Sequence, residues 1–418
     1  MSSFKIASRR MALSALMGCV SLLAFSAAAK TPEPPGLFSQ LPDTAKAKLK
    51  LPQQAIAGKS HAVKINYGQL RSGRLLLNLP GDISYEAVRD KQQDLGKGRF
   101  AWVGHASDDP DNTVVIGVSG DAVAGTFIHQ GKLFKLEPRA NGSHVLSEVK
   151  NTEPAPEHDP IPVADKTSTS PSSTASTGTA AGSDGSVIDL LVVYTPAVEA
   201  LYGNQGDDAL IVLAVAEANQ AYINSKMATR LNLVGVYRTN YIESGDMLTD
   251  LTRLRTTNDG FMDEVHGVRN FYGADLVSLI EAEGGACGIA YLMNNLSPSF
   301  ASHAFSVVHH SCATGYYSFA HEIGHNQGAA HDLANTSDVT IYPYAHGYQD
   351  PLGRFRTIMA YDCPGGCTRL DYFANPEVLY NGSPTGEAAY SADARAIDQT
   401  APTVAAFRAH ATNLPPGC

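Results

Sequence analysis

His321-Glu-Ile-Gly-His325-Asn-Gln-Gly328-Ala-Ala-His331 is the stretch from which the rest of this chain can be read. On a helix, His321 and His325 are four residues apart, so both imidazoles project from one face, a turn apart. Gly328 then allows a sharp exit, because glycine enters the φ > 0 region without a Cβ clash. The chain can turn back and bring His331 to the same point from another direction. Three neutral ring nitrogens around one Zn²⁺ leave a fourth position for water, which separates a catalytic metal site from a closed structural one. Glu322, next to the first ligand but not needed as one, is placed to accept a proton from that water. The flanking Phe319, Ala320, Ile323, Gly324, Ala329 and Ala330 give the helix little charge, as suits a buried site.

Downstream lies Thr357-Ile358-Met359-Ala360-Tyr361-Asp362. This segment resembles the methionine turn that places a thioether beneath the three histidines in the metzincin zinc proteases, whose hallmark is the extended histidine signature. Tyr361, two residues after the methionine, resembles the tyrosine of astacin- and serralysin-like members that can contact the metal or the developing oxyanion. Asp332 instead resembles the anchoring aspartate of the reprolysin branch. Together with Gly-Ala-Cys287-Gly-Ile-Ala-Tyr and Asp371-Tyr-Phe-Ala-Asn-Pro376, the pattern is most similar to the secreted bacterial peptidyl-Asp metalloendopeptidases, over roughly residues 186–410.

The resemblance implies a zinc endopeptidase with His321, His325 and His331 as ligands and Glu322 as general base. Tyr361 would be an auxiliary hydrogen-bond donor, and Met359 would serve packing alone. It also implies cleavage on the amino side of aspartate. That preference requires a cation in the pocket receiving the residue after the scissile bond; Arg369 is the first candidate, and Arg356 or Arg354 the next. An extended substrate is expected to add a strand along Ile289-Ala-Tyr-Leu292. The alternatives are a zinc endopeptidase of broader, reprolysin-like specificity and an inactive metal-binding adhesin module, in which loss of a ligand or of Glu322 would be expected.

Working outward, residues 1–29 read as an export signal. Lys5, Arg9 and Arg10 precede an apolar run from Met11 to Phe25, and small residues end at Ala29. That run is too short to span a bilayer, so a secreted product is expected, with no membrane association. Residues 30–150 alternate apolar and polar positions, as in Arg74-Leu-Leu-Leu-Asn-Leu79 and Thr113-Val-Val-Ile-Gly-Val118, and predict a small, mainly β pro-domain. Residues 151–185, rich in Pro, Ser, Thr, Ala and Gly, predict a flexible, cleavable linker. Residues 186–418 predict the catalytic domain: an α/β (α+β) metzincin-like fold with a twisted, mostly parallel sheet and the zinc-binding helix. Its strands are Val187–Tyr194, 231–241 and 275–280, with short strands at 288–293 and 304–309. Helices are expected over 207–226, with helical apolar spacing, and 249–271.

Past the signal the cysteines are Cys287, Cys312, Cys363, Cys367 and Cys418, a clustering that in an exported protein predicts disulfides. Cys287 with Cys312 and Cys363 with Cys367 is the preferred pairing, leaving Cys418 over; spacing alone leaves other connectivities open. With no cysteine between residues 30 and 286, a thiolate cannot block the zinc of a precursor. Latency through the pro-domain, acting as an intramolecular inhibitor, would need an Asp, Glu or His, and Asp108, Asp109 and Asp111 are candidates. His303, His309, His310 and His346 lack metal spacing and read as structural. Residues 185–418 hold 11 Lys+Arg against 24 Asp+Glu, a net charge of −13, which leaves no basic footprint for nucleic acid. Polypeptide substrates and a monomeric enzyme are the expectation, and no calcium site is assigned.

Overall fold

A computed structural model of the chain describes residues 35–42, 51–163 and 185–411. The export signal read at 1–29, most of the linker (164–184) and Cys418 lie outside the described residues.

The alternation read in the N-terminal half becomes a nine-stranded antiparallel sheet. Arg74–Leu79 illustrates the cause: Leu75, Leu77 and Leu79 turn inward while their neighbours face outward, and the strand pairs with Ile83–Asp94 from Arg74↔Val88 to Leu79↔Ile83. Its core gathers Trp102, Phe127, Phe134, Leu75 and Leu77, and the Trp102 indole donates to the Ser72 carbonyl at 2.9 Å.

Val187–Tyr194 is apolar on both faces because it lies inside the second, six-stranded sheet, with Arg230–Arg238 on one side and Leu276–Glu281 on the other, both parallel to it. Phe305–His309 continues parallel beyond Leu276–Glu281. The edge strand Gly288–Leu292 then runs antiparallel, so the sheet is mixed. A sixth strand, Ile161–Pro162, comes from the segment read as linker and pairs parallel with Gly288–Leu292. Residues 151–163 are therefore held against the catalytic half rather than left as a tether.

Helix Asn204–Asn224 spans most of the helix expected over 207–226 but is buried almost all round. Leu210, Ile211, Ala214, Ala218 and Tyr222 pack on the mixed sheet. Ala209, Val212, Leu213 and Ala216 pack instead on Ala101, Val103, Val115 and Ala124 of the antiparallel sheet. A helix with no wet face follows from serving two cores. The single helix expected over 249–271 is two, Met247–Arg255 and Asp263–Tyr272. Asn258 and Met262 adopt positive φ between them, and the Asp263 carboxylate accepts from the Asn258 and Gly260 amides, holding the chain in a turn that ends continuity with the first helix.

The approach of helix to sheet is closest at Gly117, where an added Cβ would lie 2.4 Å from the Ala209 carbonyl oxygen and 2.6 Å from the Leu213 amide nitrogen. Both are backbone atoms that cannot swing away. Gly117→Val should destabilise the full chain by about 1–3 kcal/mol, the usual cost of overpacking. A melting temperature equal to wild type would show that the two layers are not in contact there.

Candidate active site

The site helix is Ser318–Asn326, and every residue in it is buried. Gly328 has φ +93°, the left-handed turn read from the sequence, and carries the chain to His331. The three imidazoles converge through one atom each. His321 Nε2 lies 3.1 Å from His325 Nε2 and 3.0 Å from His331 Nε2. A tetrahedral zinc with bonds of ~2.0–2.1 Å separates its ligand nitrogens by about 3.3 Å, so this donor set fits that ion.

Ring orientation is fixed from behind. His321 Nδ1 lies 2.8 Å from the Ile358 carbonyl, and His325 Nδ1 lies 2.8 Å from the Ala329 carbonyl. The Ala329 carbonyl only accepts, so His325 Nδ1 carries the proton and its Nε2 lone pair faces the common point; His321 Nδ1 is held between the Ile358 carbonyl and Arg369 Nη2, with its Nε2 turned to the same point. Burial holds His321 and His325 well below the usual histidine range and His331 at about 3, which leaves all three neutral, the ligating form, at neutral pH. The third ligand is braced through its backbone, where His346 Nδ1 donates to the His331 carbonyl at 2.8 Å. His303, His309 and His310 stand apart from the triad, and their partners are Ser302, Ser311 with the Ala282 carbonyl, and Tyr202 respectively.

Glu322 is wholly buried, and neither carboxylate oxygen has a hydrogen-bond partner among the described residues. Burial first, and the neighbouring Glu157 charge second, push its carboxyl well above the usual range. Gly288, on the edge strand, is what admits it: a Cβ there would fall 2.4 Å from Glu322 Oε1 and 2.6 Å from its Cγ. Met359 lies under the helix, and an added Cβ on Gly324 would meet its sulfur at 2.7 Å, so the glycine of the signature makes room for the thioether. Asp332 Oδ1 accepts from the Tyr361 amide at 2.9 Å, tying the exit of the methionine turn to the residue after the third histidine. The Tyr361 ring lies 4.2 Å from that of His331, but its hydroxyl donates to Asp159 at 2.9 Å.

The three candidate arginines separate clearly. Arg354 is surface-facing and pairs with Asp350 at 2.7 Å, so it is not at the site. Arg356 and Arg369 are both buried. Arg369 donates to the Ile358 carbonyl, which it shares with His321, and its Nη2 stands 2.7 Å from that ring. Its Nη1 bonds Glu153 at 3.0 Å, Glu157 at 2.9 Å and the Tyr316 carbonyl at 2.9 Å. Arg356 also bonds Glu153, and it donates to the Ala360 carbonyl at 2.6 Å.

These acidic partners were not foreseen. Asp109 and Asp111 line the mouth of a cavity of about 300 Å³ that reaches Arg369 from the side of Tyr372 and Tyr380, and Asp108 lies near Tyr85; no contact joins any of the three to the histidines. The acidic groups at the site are instead Glu157, beside Glu322 and Arg369, and Asp159, 3.8 Å from His331 Nδ1. Their segment runs along the edge expected for a substrate. The Cys287 amide donates to the Pro156 carbonyl at 2.8 Å, the His158 amide to the Gly288 carbonyl at 2.9 Å, and Ile161 aligns with Tyr291. Both expected disulfides are present, Cys287–Cys312 and Cys363–Cys367, each with Cα atoms 5.4 Å apart. The first fixes the approach to the site helix and the second closes the loop beyond the methionine turn.

Comparison with known proteins agrees with this geometry. Residues 209–332 match the Metallo-peptidase family M12B Reprolysin-like. The chain is 42% identical to a peptidyl-Asp metalloendopeptidase of Stenotrophomonas maltophilia (strain R551-3), over 77% of this chain and 80% of that protein. It is 38% identical to the one from Xanthomonas campestris pv. campestris, over 90% and 92%, and 37% identical to one from Pseudomonas fragi, over 46% and 100%.

If the triad holds a metal, purified protein should contain about one zinc per chain by elemental analysis. His331→Ala should lose most of it, while Glu322→Ala should retain it. Full metal retention by His331→Ala would remove that residue from the ligand set.

Proposed function

The chain belongs to the peptidyl-Asp metalloendopeptidases and is a zinc metalloendopeptidase, and from that premise we propose an exported, latent precursor that cleaves polypeptides on the amino side of aspartate. The observation that carries the reading is the convergence of three neutral, buried Nε2 atoms beside a buried carboxylate with no partner of its own.

Bound by His321, His325 and His331, zinc would supply a Lewis acid and lower the pKa of a water to ~7. Glu322 takes the proton from the attacking water and returns it to the departing amine. Buried beside Glu157, its carboxylate is free for this use once that segment leaves, and Gly288 leaves the space in which it can face substrate. The Tyr361 hydroxyl, once free of Asp159, can donate to the oxyanion. The edge of Gly288–Leu292, once vacated by Ile161–Pro162, aligns the substrate backbone, and Arg369, with Arg356 beside it, supplies the positive charge that an aspartate side chain requires. Polypeptides are the substrates, and the enzyme acts as a monomer.

Latency is assigned to the N-terminal half. The antiparallel sheet (the expected pro-domain, 30–150) covers helix Asn204–Asn224, and residues 151–163 occupy the edge strand, engage Tyr361 through Asp159 and face Glu322 with Glu157. Activation then requires separating this half from residues 186–418, and the Ser/Thr/Gly-rich stretch read as linker supplies the site of cutting. The segment at 1–29 supplies export.

Three measurements test the reading together. Casein hydrolysis should be abolished by o-phenanthroline and fall at least 10²-fold in Glu322→Ala, the usual size of a general-base contribution. Profiling of cleaved peptides should show aspartate after the cut in wild type, with that preference lost in Arg369→Ala. An unchanged aspartate preference would take Arg369 out of the role. Gly288→Ala should lower kcat more than tenfold while leaving the melting temperature near wild type, since the added methyl displaces Glu322 rather than the backbone. Full activity in that variant would mean that Glu322 is not held where the base must act.

A further inference from the structure

The two carboxylates that ion-pair with Arg369 both come from the segment 151–163, and neither comes from the catalytic half. Arg369 and Glu157 are each almost fully buried, with side chains 2% and 5% exposed, and Glu153 is 13% exposed. Buried carboxylates are an unusual choice for a segment whose neighbours are proline and alanine, because each must be taken out of water. They are retained where a buried cation waits for them. That cation lies against the first zinc ligand, at the end of the space that Glu322 also faces.

We propose that Glu157, assisted by Glu153, is a built-in stand-in for the acidic side chain of the substrate: residues 153–159 keep the precursor latent by filling the acid-reading pocket itself, not only by standing over the metal. This rests on the reading of Arg369 as the specificity cation. Glu157 reaches that guanidinium as a substrate aspartate would, and Glu153 bridges it to Arg356. The segment is not itself cut at this point because its backbone is turned elsewhere. In a substrate, the bond attacked would lie on the amino side of the acidic residue, here Pro156–Glu157. The Pro156 carbonyl is already bonded to the Cys287 amide, so its oxygen points into the sheet edge and not toward the histidines.

Asp159 contributes less than Glu157. Its side chain is 84% exposed, and it stands 3.8 Å from His331. Exposed ion pairs are weak because water competes for both partners, whereas a buried arginine that loses its paired acids keeps only the Ile358 and Tyr316 carbonyls and the more distant charge of Glu322. The latent state is therefore held mainly by the pocket and only secondarily at the metal.

The test uses the processed, secreted enzyme and a synthetic peptide of residues 151–163. The peptide should inhibit competitively against an aspartate-containing reporter. Glu157→Gln in the peptide should weaken inhibition at least tenfold, and Asp159→Asn should weaken it less. In parallel, the full-length precursor carrying Glu157→Gln should show at least tenfold more activity than the wild-type precursor before processing, with a melting curve recorded to exclude unfolding. Equal inhibition by the wild-type and Glu157→Gln peptides, or a larger loss from Asp159→Asn, overturns the proposal. If the enzyme shows no Arg369-dependent aspartate preference, the underlying reading of the pocket fails instead, an outcome visible in the cleavage profile without any peptide.

Discussion

A buried guanidinium must be neutralised, and at Arg369 that requirement ties together parts of the chain that are far apart in sequence. Taking the cation out of water costs several kcal/mol, which good geometry and paired acids recover, and removing one partner of such a pair costs about 3–5 kcal/mol. Arg369 meets the demand with the Ile358 carbonyl at the start of the methionine turn, the Tyr316 carbonyl before the site helix, and Glu153 and Glu157 from the N-terminal half. The Ile358 carbonyl also orients His321. One side chain thus joins the support of His321 to the anchoring of Glu153 and Glu157. A change in what fills the pocket is felt directly behind the metal site.

The same economy appears in helix Asn204–Asn224. Its inner face completes the core of the mixed sheet, which positions the site helix through contacts such as Gln327 to Tyr222 at 2.5 Å. Its outer face completes a second apolar cluster with the antiparallel sheet. Buried polar groups follow the same boundary. Lys135 of the antiparallel sheet donates to the Ser311 carbonyl at 3.0 Å, and its charge lies near Glu217 of the helix, whose carboxyl burial pushes up to about 7. The N-terminal half is therefore attached at an apolar face, at a buried polar cluster beside it, and at Arg369. Under the latent-precursor reading proposed above, release of this half requires all three to open.

The catalytic centre was legible because its chemistry dictates spacing. Two imidazoles on one helical face, a glycine to reverse the chain and a third imidazole beyond it admit few other meanings, and the positive φ at Gly328 is what that spacing requires. Strand Val187–Tyr194 was legible for a related reason, since a strand apolar at all but one of its positions, Asp189, must be covered on both sides. Helix Asn204–Asn224 resisted because periodicity reports which residues avoid water, and here a second layer covers the face that should be wet. The break between Met247–Arg255 and Asp263–Tyr272 was missed because the apolar spacing resumes in phase, while the turn that stops continuity is held by one side chain, Asp263, bonded to the Asn258 and Gly260 amides.

The segment from Glu153 to Pro162 failed for the most instructive reason. It was grouped with the Ser/Thr/Gly-rich stretch that follows, since both have almost no large apolar residue, Ile161 being the exception, and neither can form a core of its own. Yet Glu-Pro-Ala-Pro-Glu-His-Asp-Pro-Ile-Pro differs in kind from Thr-Ser-Thr-Ser-Pro-Ser-Ser-Thr. Four prolines among ten residues fix φ near −65° and leave an already extended chain with little entropy to lose. Three acids at 153, 157 and 159 give it partners that need no apolar burial. A proline-stiffened strand can therefore be held by a few bonds to an existing sheet edge and two arginines, where a Ser/Gly chain of equal length would lose more freedom than those bonds return. Polar composition excludes a core; it does not exclude docking. The distinguishing signal was the coincidence of stiffness with charge of the sign that Arg356 and Arg369 lack.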